Sequence, residues 1–100
     1  MESLHAIGWE NYAADAIVHQ GPCLLHGVVV LASAAGGDAT LYEGQDASSG
    51  RKIGVFKGGA NLSLPIMLPK PLYAARGLYL DVGTSITEVL VGFEPIDEPQ

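Results

Sequence analysis

The three histidines, His5, His19 and His26, are the side chains of this 100-residue sequence best suited to holding a transition metal. His19 and His26 flank Gly21–Pro22, and antiparallel pairing across that turn would bring their imidazoles close together. A zinc site needs at least three protein ligands, and the pattern supplies two. We therefore expect one surface histidine and one hydrogen-bonded strand histidine, with a metal-dependent, cupin-like enzyme as an alternative.

Carboxylates are the next candidates for chemistry. Asp38, Glu43 and Asp46 surround two glycine-containing loops, but their spacing matches no calcium-binding loop, and acidic turns are common for solubility alone. Acid–base catalysis needs two carboxyl groups in one pocket, whereas Asp81 and Glu88 lie in predicted strands and are both predicted to point outward. We therefore predict no catalytic residue, no cofactor and no enzymatic activity.

Aromatic side chains are the third candidate, because they could form a platform on which sugar rings stack. A carbohydrate-binding module, or a protein that adsorbs to a host surface, is therefore an alternative hypothesis. We favour packing within the fold, or an interface between copies, for these residues. They are Trp9, Tyr12, Tyr42, Tyr73 and Tyr79.

Segment 21–33 is the element around which the other segments must be arranged. It contains Val28, Val29 and Val30, and β-branched residues favour a strand over a helix. Because residues of both parities are apolar, both faces of this central strand should be covered. Cys23, which is the single cysteine, is predicted to be a small buried hydrophobic residue rather than a nucleophile.

About seven to eight short strands, separated by glycine-containing turns, predict an all-β fold. We expect a single antiparallel β-sandwich, jelly-roll-like, over residues 11–94. Residues 12–19 are predicted to be an edge strand that turns into the central one. Residues 1–10 are predicted to be an N-terminal docking arm, and residues 95–100 an acidic tail. The expected core includes Leu41, Val55, Leu64, Leu80, Val89 and Val91.

Segment 61–73 alternates strictly between leucine or isoleucine and other residues, and it contains three prolines. Each proline removes a hydrogen-bond donor from a strand ladder, so this segment should lie at the edge of a sheet. Its outward side chains would form a stiff apolar ridge, and the arm carries apolar residues that a lone sandwich has difficulty burying. The predicted partner interface is Leu4, Ile7, Trp9, Pro65, Met67 and Pro69.

The composition restricts the classes of partner. The net charge of −6 argues against binding a phosphate backbone, so no nucleic acid partner is expected. No apolar run approaches the ~18 residues of a membrane span, and no signal peptide is recognisable, so we expect a protein made in the cytoplasm. With 16% charged residues, much of the surface is uncharged, which is typical of a surface covered by copies or by a larger partner.

Several strand-and-turn motifs carry a resemblance. They are Gly-Pro-Cys-Leu-Leu-His-Gly-Val-Val-Val from residue 21, Ala-Thr-Leu-Tyr-Glu-Gly from residue 39, and Ser-Gly-Arg-Lys-Ile from residue 49. Gly77–Leu80 and Thr87–Val91 fit the same layout. Over residues 11–93 the sequence resembles small β-sandwich virion proteins of tailed bacteriophages, in particular capsid decoration or cement proteins.

The resemblance implies a structural protein of the virion that binds the outside of the major capsid lattice and stabilises it. Such proteins are jelly-roll-like sandwiches that act as dimers or trimers without cofactors, and they have no catalytic residues to transfer. The expected partners are therefore the major capsid protein, or another virion shell protein, and copies of the chain itself, with a trimer favoured over a dimer. Another phage head or tail component is the alternative within this class.

Overall fold

The computed structural model describes residues 8–33, 35–59 and 61–96, and within these ranges the chain forms eight strands and no helix. The all-β prediction is therefore confirmed. The strands are β1 (Gly8–Tyr12), β2 (Ala16–His19), β3 (Cys23–Ala32), β4 (Gly37–Glu43), β5 (Arg51–Gly58), β6 (Ser63–Ala74), β7 (Leu78–Val82) and β8 (Ile86–Pro95).

The strands form two antiparallel sheets of four. Sheet A has the order β1-β8-β3-β6, and sheet B has the order β2-β7-β4-β5. The pairs β1–β8, β2–β7, β3–β6 and β4–β5 are those of one long hairpin folded about its midpoint. The pairs β3–β8 and β4–β7 then roll this hairpin into two layers, which is the eight-stranded jelly roll. The jelly-roll-like sandwich is therefore confirmed.

The core lies between the sheets, and β3 is an interior strand of sheet A because it pairs with both β6 and β8. Its inward-facing side chains, including Val28 and Val30, are buried. Four of the predicted core residues are fully buried, as expected: Leu41, Leu80, Val89 and Val91. Leu64 lies in β6, but its side chain is outside the part of the chain that the structure describes.

The prediction that Val55 lies in the core is wrong. Leu41 is paired with Gly54 and Tyr42 with Lys52, so β5 has one extra residue, Ile53, at a β-bulge. The bulge shifts the alternation of all later side chains by one position. Val55 is consequently 44% exposed on the outside of sheet B, and its neighbour Phe56 packs against the core instead.

The predicted strand over residues 12–19 is two strands in different sheets. β1 ends at Tyr12 in sheet A, and β2 begins at Ala16 in sheet B. β2 is an edge strand as expected, but it pairs with β7, so the chain crosses between the sheets at Gly21–Pro22 instead of forming a hairpin with β3. The last three residues of the expected arm, 8–10, belong to β1, and residues 1–7 lie outside the described residues. β8 extends to Pro95, and residues 97–100 of the expected tail are also outside the described residues.

Each sheet edge carries a feature that opposes strand pairing with another chain. β6 lies at the edge of sheet A, as predicted, and contains three prolines. β5 has its bulge and the exposed Lys52 and Lys57. β2 is only four residues long and has a register shift. β1 is five residues long, and its exposed, charged Glu10 is paired with Val91, whose side chain faces the core. Open-ended strand pairing with another chain is therefore opposed at all four sheet edges.

Candidate functional site

The side of sheet A that faces away from the core is an unusually apolar surface, which we call outer face A. Residues directly opposite one another on paired strands project from the same face of a sheet, so the strand registers define its members. They are Trp9, Asn11, Leu24, His26, Gly27, Val29, Leu31, Ser63, Pro65, Met67, Tyr73, Glu88, Leu90, Gly92 and Glu94.

The middle of outer face A contains a row that crosses all four strands. Asn11 is paired with Leu90, Leu90 with Val29, and Val29 with Pro65. Val29 and Leu90 are half-buried by their neighbours, whereas Pro65 is exposed at the edge. This row therefore presents three apolar side chains and no charge.

The adjacent row consists of Trp9, Gly92, Gly27 and Met67 in register. A Cβ atom on Gly92 would lie 2.7 Å from Cη2 of Trp9, and one on Gly27 would lie 2.7 Å from Sδ of Met67. The indole and the thioether therefore lie over the two glycine backbones and occupy the space that side chains would take. Trp9 remains 42% exposed and Met67 56% exposed, so the row is an apolar surface open to a partner.

Charged groups of outer face A lie towards its ends. At one end, Nε2 of His26 is 3.2 Å from Oε1 of Glu94, and both side chains are mostly covered. His26 is the extra residue of a bulge in β3, which places it beside Gly27 on the same face. At the other end, Leu31 is paired with Glu88. The two central rows between these ends carry no ionisable side chain.

The corresponding surface of sheet B, outer face B, is different. Its registers place Thr40 opposite Asp81 and Asp38 opposite Lys57. Polar and charged side chains thus alternate with buried ones, which is typical of a solvated sheet face. Its members are Ile17, Asp38, Thr40, Tyr42, Lys52, Val55, Lys57, Tyr79 and Asp81. Outer face B is therefore suited to contact with water, whereas the central rows of outer face A are apolar.

Outer face A changes the interpretation of the central strand. Both faces of β3 were expected to be covered. The inner face is covered by sheet B, but on the outer face Leu24, Val29 and Leu31 are only half-buried, and no other part of the described chain packs over them. An exposed apolar sheet face of this kind is typical of a protein–protein interaction surface.

The structure brings together three of the six predicted interface residues. Trp9, Met67 and Pro65 all lie on outer face A, although they come from strands at its opposite edges. Pro69 is exposed, but it lies in the four residues of β6 between Met67 and Leu72 that are skipped in the register with β3. The other two predicted residues, Leu4 and Ile7, lie outside the described residues.

Sequence reasoning missed the centre of the surface. Val29 and Leu90 lie between the predicted residues, and Leu24, Leu31 and Tyr73 extend the face along the strands. The signal that could have found them was present, since the central strand is apolar at both parities. Its outward residues could have been assigned to a partner-facing surface rather than to burial within the monomer.

The antiparallel pairing that could have brought His19 and His26 together is not formed. β2 and β3 belong to different sheets, so the two histidines are not cross-strand partners. His19 instead packs with its ring centroid 5.6 Å from that of Phe93, while His26 contacts Glu94. Within residues 8–33, 35–59 and 61–96, no group of three or more His, Cys, Asp or Glu side chains is arranged to hold a metal ion. His5 lies outside these ranges.

Two of the three carboxylates around the glycine loops, Glu43 and Asp46, have structural partners. Glu43 is buried, and its Oε1 accepts a hydrogen bond from Arg51 at 2.6 Å while its Oε2 accepts one from the Ala75 N–H at 2.9 Å. Burial opposes its ionisation, but these donors and the neighbouring Arg76 outweigh burial and lower the pKa of Glu43 below its usual value. Asp46 accepts hydrogen bonds within its own loop from Ser48 and Ser49, which lower its pKa.

The aromatic residues do not form one platform. Trp9 and Tyr73 are on outer face A, whereas Tyr42 and Tyr79 are on outer face B with ring centroids 6.4 Å apart. Tyr12 packs against the core. Burial, together with nearby carboxylates, raises the pKa of Tyr79, so its phenol is neutral and able to donate a hydrogen bond.

Cys23 is fully buried, in agreement with the expectation of a small buried hydrophobic residue. Burial, followed by the charge of Glu43, raises the pKa of its thiol to about 11. The thiol is therefore protonated at neutral pH, which makes it a poor nucleophile and a poor metal ligand.

Comparisons with known proteins add no relative: no family model matches the sequence, and no curated protein or solved structure matches it. In the described part of the chain, no helix is long and apolar enough to cross a membrane. The surfaces of the sandwich, together with the resemblance noted in the sequence, are therefore the basis for a functional proposal.

Proposed function

We propose that the chain is a structural virion protein of a tailed bacteriophage, a capsid decoration or cement protein that docks on the outside of the major capsid lattice. The observation that supports this proposal is outer face A, an apolar sheet face whose two central rows carry no ionisable group. Removing such a surface from water stabilises association with another protein at roughly 25 cal/mol per Å² before the costs of binding. The phage identity comes from the resemblance.

Assembly in many copies suits a surface of this size. A lattice presents its binding sites at high local concentration, so each contact can be modest and the decorated shell can still be stable. The sheet edges oppose open-ended strand pairing, which favours side-chain packing by outer face A as a means of attachment. Another head or tail component of the virion would use the same surface in the same way.

Co-sedimentation with empty heads that lack this protein tests the proposal. Val29→Lys places a charge in the middle of outer face A, and Val55→Lys is the matched control because it makes the same change on outer face B. We expect Val29→Lys to weaken binding at least about 30-fold, equivalent to about 2 kcal/mol, and Val55→Lys to bind as the unchanged protein does. Failure of the unchanged protein to bind heads would contradict the proposal, as would equal binding by the two variants.

A carbohydrate-binding module is the second candidate, and one observation favours it. Tyr42 and Tyr79 form a ring pair on outer face B, and Asp81 lies on the next row of the same face. Aromatic rings beside a carboxylate offer both a stacking surface and a hydrogen-bond acceptor for sugar hydroxyls. Reproducible binding on a glycan array that is lost in Tyr79→Ala, but kept in Tyr73→Ala, would support this function over capsid binding.

A further inference from the structure

We infer that a second copy of this chain covers outer face A in the free protein, with the two sheets packed face to face about a two-fold axis. This pairing rests on the proposed use of outer face A as a protein-docking surface. A flat face that meets its own copy forms a closed pair, because the same residues are buried on both sides. The pair is a dimer, in place of the trimer expected from the sequence.

The dimensions of the face are sufficient for such a dimer. Outer face A spans the four strands of sheet A and residues 24–31 along β3. With strands about 4.8 Å apart and about 3.3 Å per residue, its footprint is about 19 by 26 Å, or about 500 Å² per copy. Two copies would bury about 1,000 Å², which is close to the lower limit for a specific interface. We therefore expect a dissociation constant in the micromolar range.

The charge distribution also favours a second copy. The chain has a net charge of −6, so two copies repel unless their acidic groups are kept apart. Five acidic residues lie in sheet B or in loops, away from outer face A: Asp15, Asp38, Glu43, Asp46 and Asp81. On outer face A, Glu94 contacts His26, and Glu88 lies at the opposite end. Outer face A itself carries Glu88 and Glu94 and no lysine or arginine, but both carboxylates lie towards its ends, so a face-to-face pair brings together the two central rows, which carry no ionisable side chain.

Packing of Trp9 and Met67 over the two glycines makes the face suitable for this arrangement. Because the side chains fill the glycine positions, the central rows can meet a second sheet without a gap between them. Sheets that pack face to face lie about 10 Å apart, a spacing that interdigitated apolar side chains of this size fill. The dimer and the capsid then compete for the same face, so the free protein dissociates as it binds heads.

Sedimentation velocity of the purified protein over a concentration series from about 1 to 200 μM tests the pairing in the absence of heads. We expect the mass to rise from monomer to dimer across this range. Val29→Lys should shift the midpoint at least about tenfold towards higher concentration, and Val55→Lys should leave it unchanged. A monomer at every concentration, a trimer, or a dimer equally affected by both variants would overturn the inference.

Two further measurements keep the test decisive. Met67→Lys changes an exposed residue at the edge of the same face, so it should weaken the dimer even if Val29→Lys perturbs folding. Trp9 is the single tryptophan of the chain, and acrylamide should quench its fluorescence less as the dimer forms. Quenching that does not change while the mass doubles would assign the dimer to another surface. Head binding by a protein that stays monomeric would contradict the pairing and leave the proposed function intact.

Discussion

Replacing Val55 and Phe56 by alanine, one at a time, tests the bulge at Ile53. Val55 is 44% exposed on outer face B, so losing two of its methyl groups should change the free energy of unfolding by about 0.5 kcal/mol or less. Phe56 packs against the core and is partly exposed. Its replacement should cost about 2–3 kcal/mol, below the 3–5 kcal/mol of a fully buried phenylalanine.

Thermal unfolding followed by circular dichroism measures the difference. For a domain of about 100 residues, 1 kcal/mol shifts Tm by about 4–8 °C, so Phe56→Ala should lower Tm by about 10–20 °C. Val55→Ala should lower it by no more than about 4 °C. Strict alternation along β5 would give the opposite order, because Val55 would then face the core. A larger loss for Val55→Ala than for Phe56→Ala would therefore refute the bulge and the register of β4 with β5.

Three further predictions concern stability. Leu80→Ala should lower the free energy of unfolding by about 3–5 kcal/mol because Leu80 is fully buried, whereas Val29→Ala should lower it by about 1 kcal/mol because Val29 faces outward. Urea unfolding measures both values, and equal losses would place Val29 in the core. Gly27→Ala should destabilise the fold by about 1–3 kcal/mol, since its Cβ would lie 2.8 Å from the Ile66 carbonyl oxygen, while Gly54→Ala meets only ordinary contacts and is the control in the same assay. Glu43→Gln should cost about 1–3 kcal/mol at neutral pH. The folded-state pKa of Glu43 is lowered, so its contribution to the free energy of unfolding is present above the unfolded-state pKa of about 4.3 and is lost as pH falls through the folded-state value. The difference in stability between the unchanged protein and Glu43→Gln should therefore disappear in acid. A difference that does not depend on pH would contradict the ionised pair with Arg51.

Much of the fold could be predicted because hydrophobic alternation and proline placement act locally. The valines of β3 predict an interior strand, and the prolines of β6 predict an edge, since each lacks an amide donor. The bulge in β5 could not be predicted, because Ile53 and Val55 have the same parity and are both apolar. One inserted residue changes the register without changing the pattern of residue types.

The surface of the sandwich was predictable only in part. Trp9, Pro65 and Met67 were expected to contact a partner, but the sequence does not reveal that β1 and β6 lie on one sheet with β8 and β3 between them. Gly21–Pro22 is compatible with either a hairpin or a crossing between sheets, and the difference depends on long-range pairing. Outer face A is therefore a product of topology, although its apolar residues are visible in the sequence.

The central claim, that outer face A is buried against the capsid, is tested most directly at position 9. Trp9 is the single tryptophan, so it can be replaced by 5-hydroxytryptophan, which is excited at longer wavelengths than the tryptophans of capsid proteins. Acrylamide quenching of this residue is then measured in the free protein under conditions where it is monomeric, and again after it has bound to empty heads. We predict that binding strongly reduces the quenching rate, because an indole that is 42% exposed becomes covered. An unchanged quenching rate in protein that co-sediments with the heads would show that another surface makes the contact, and would contradict the account.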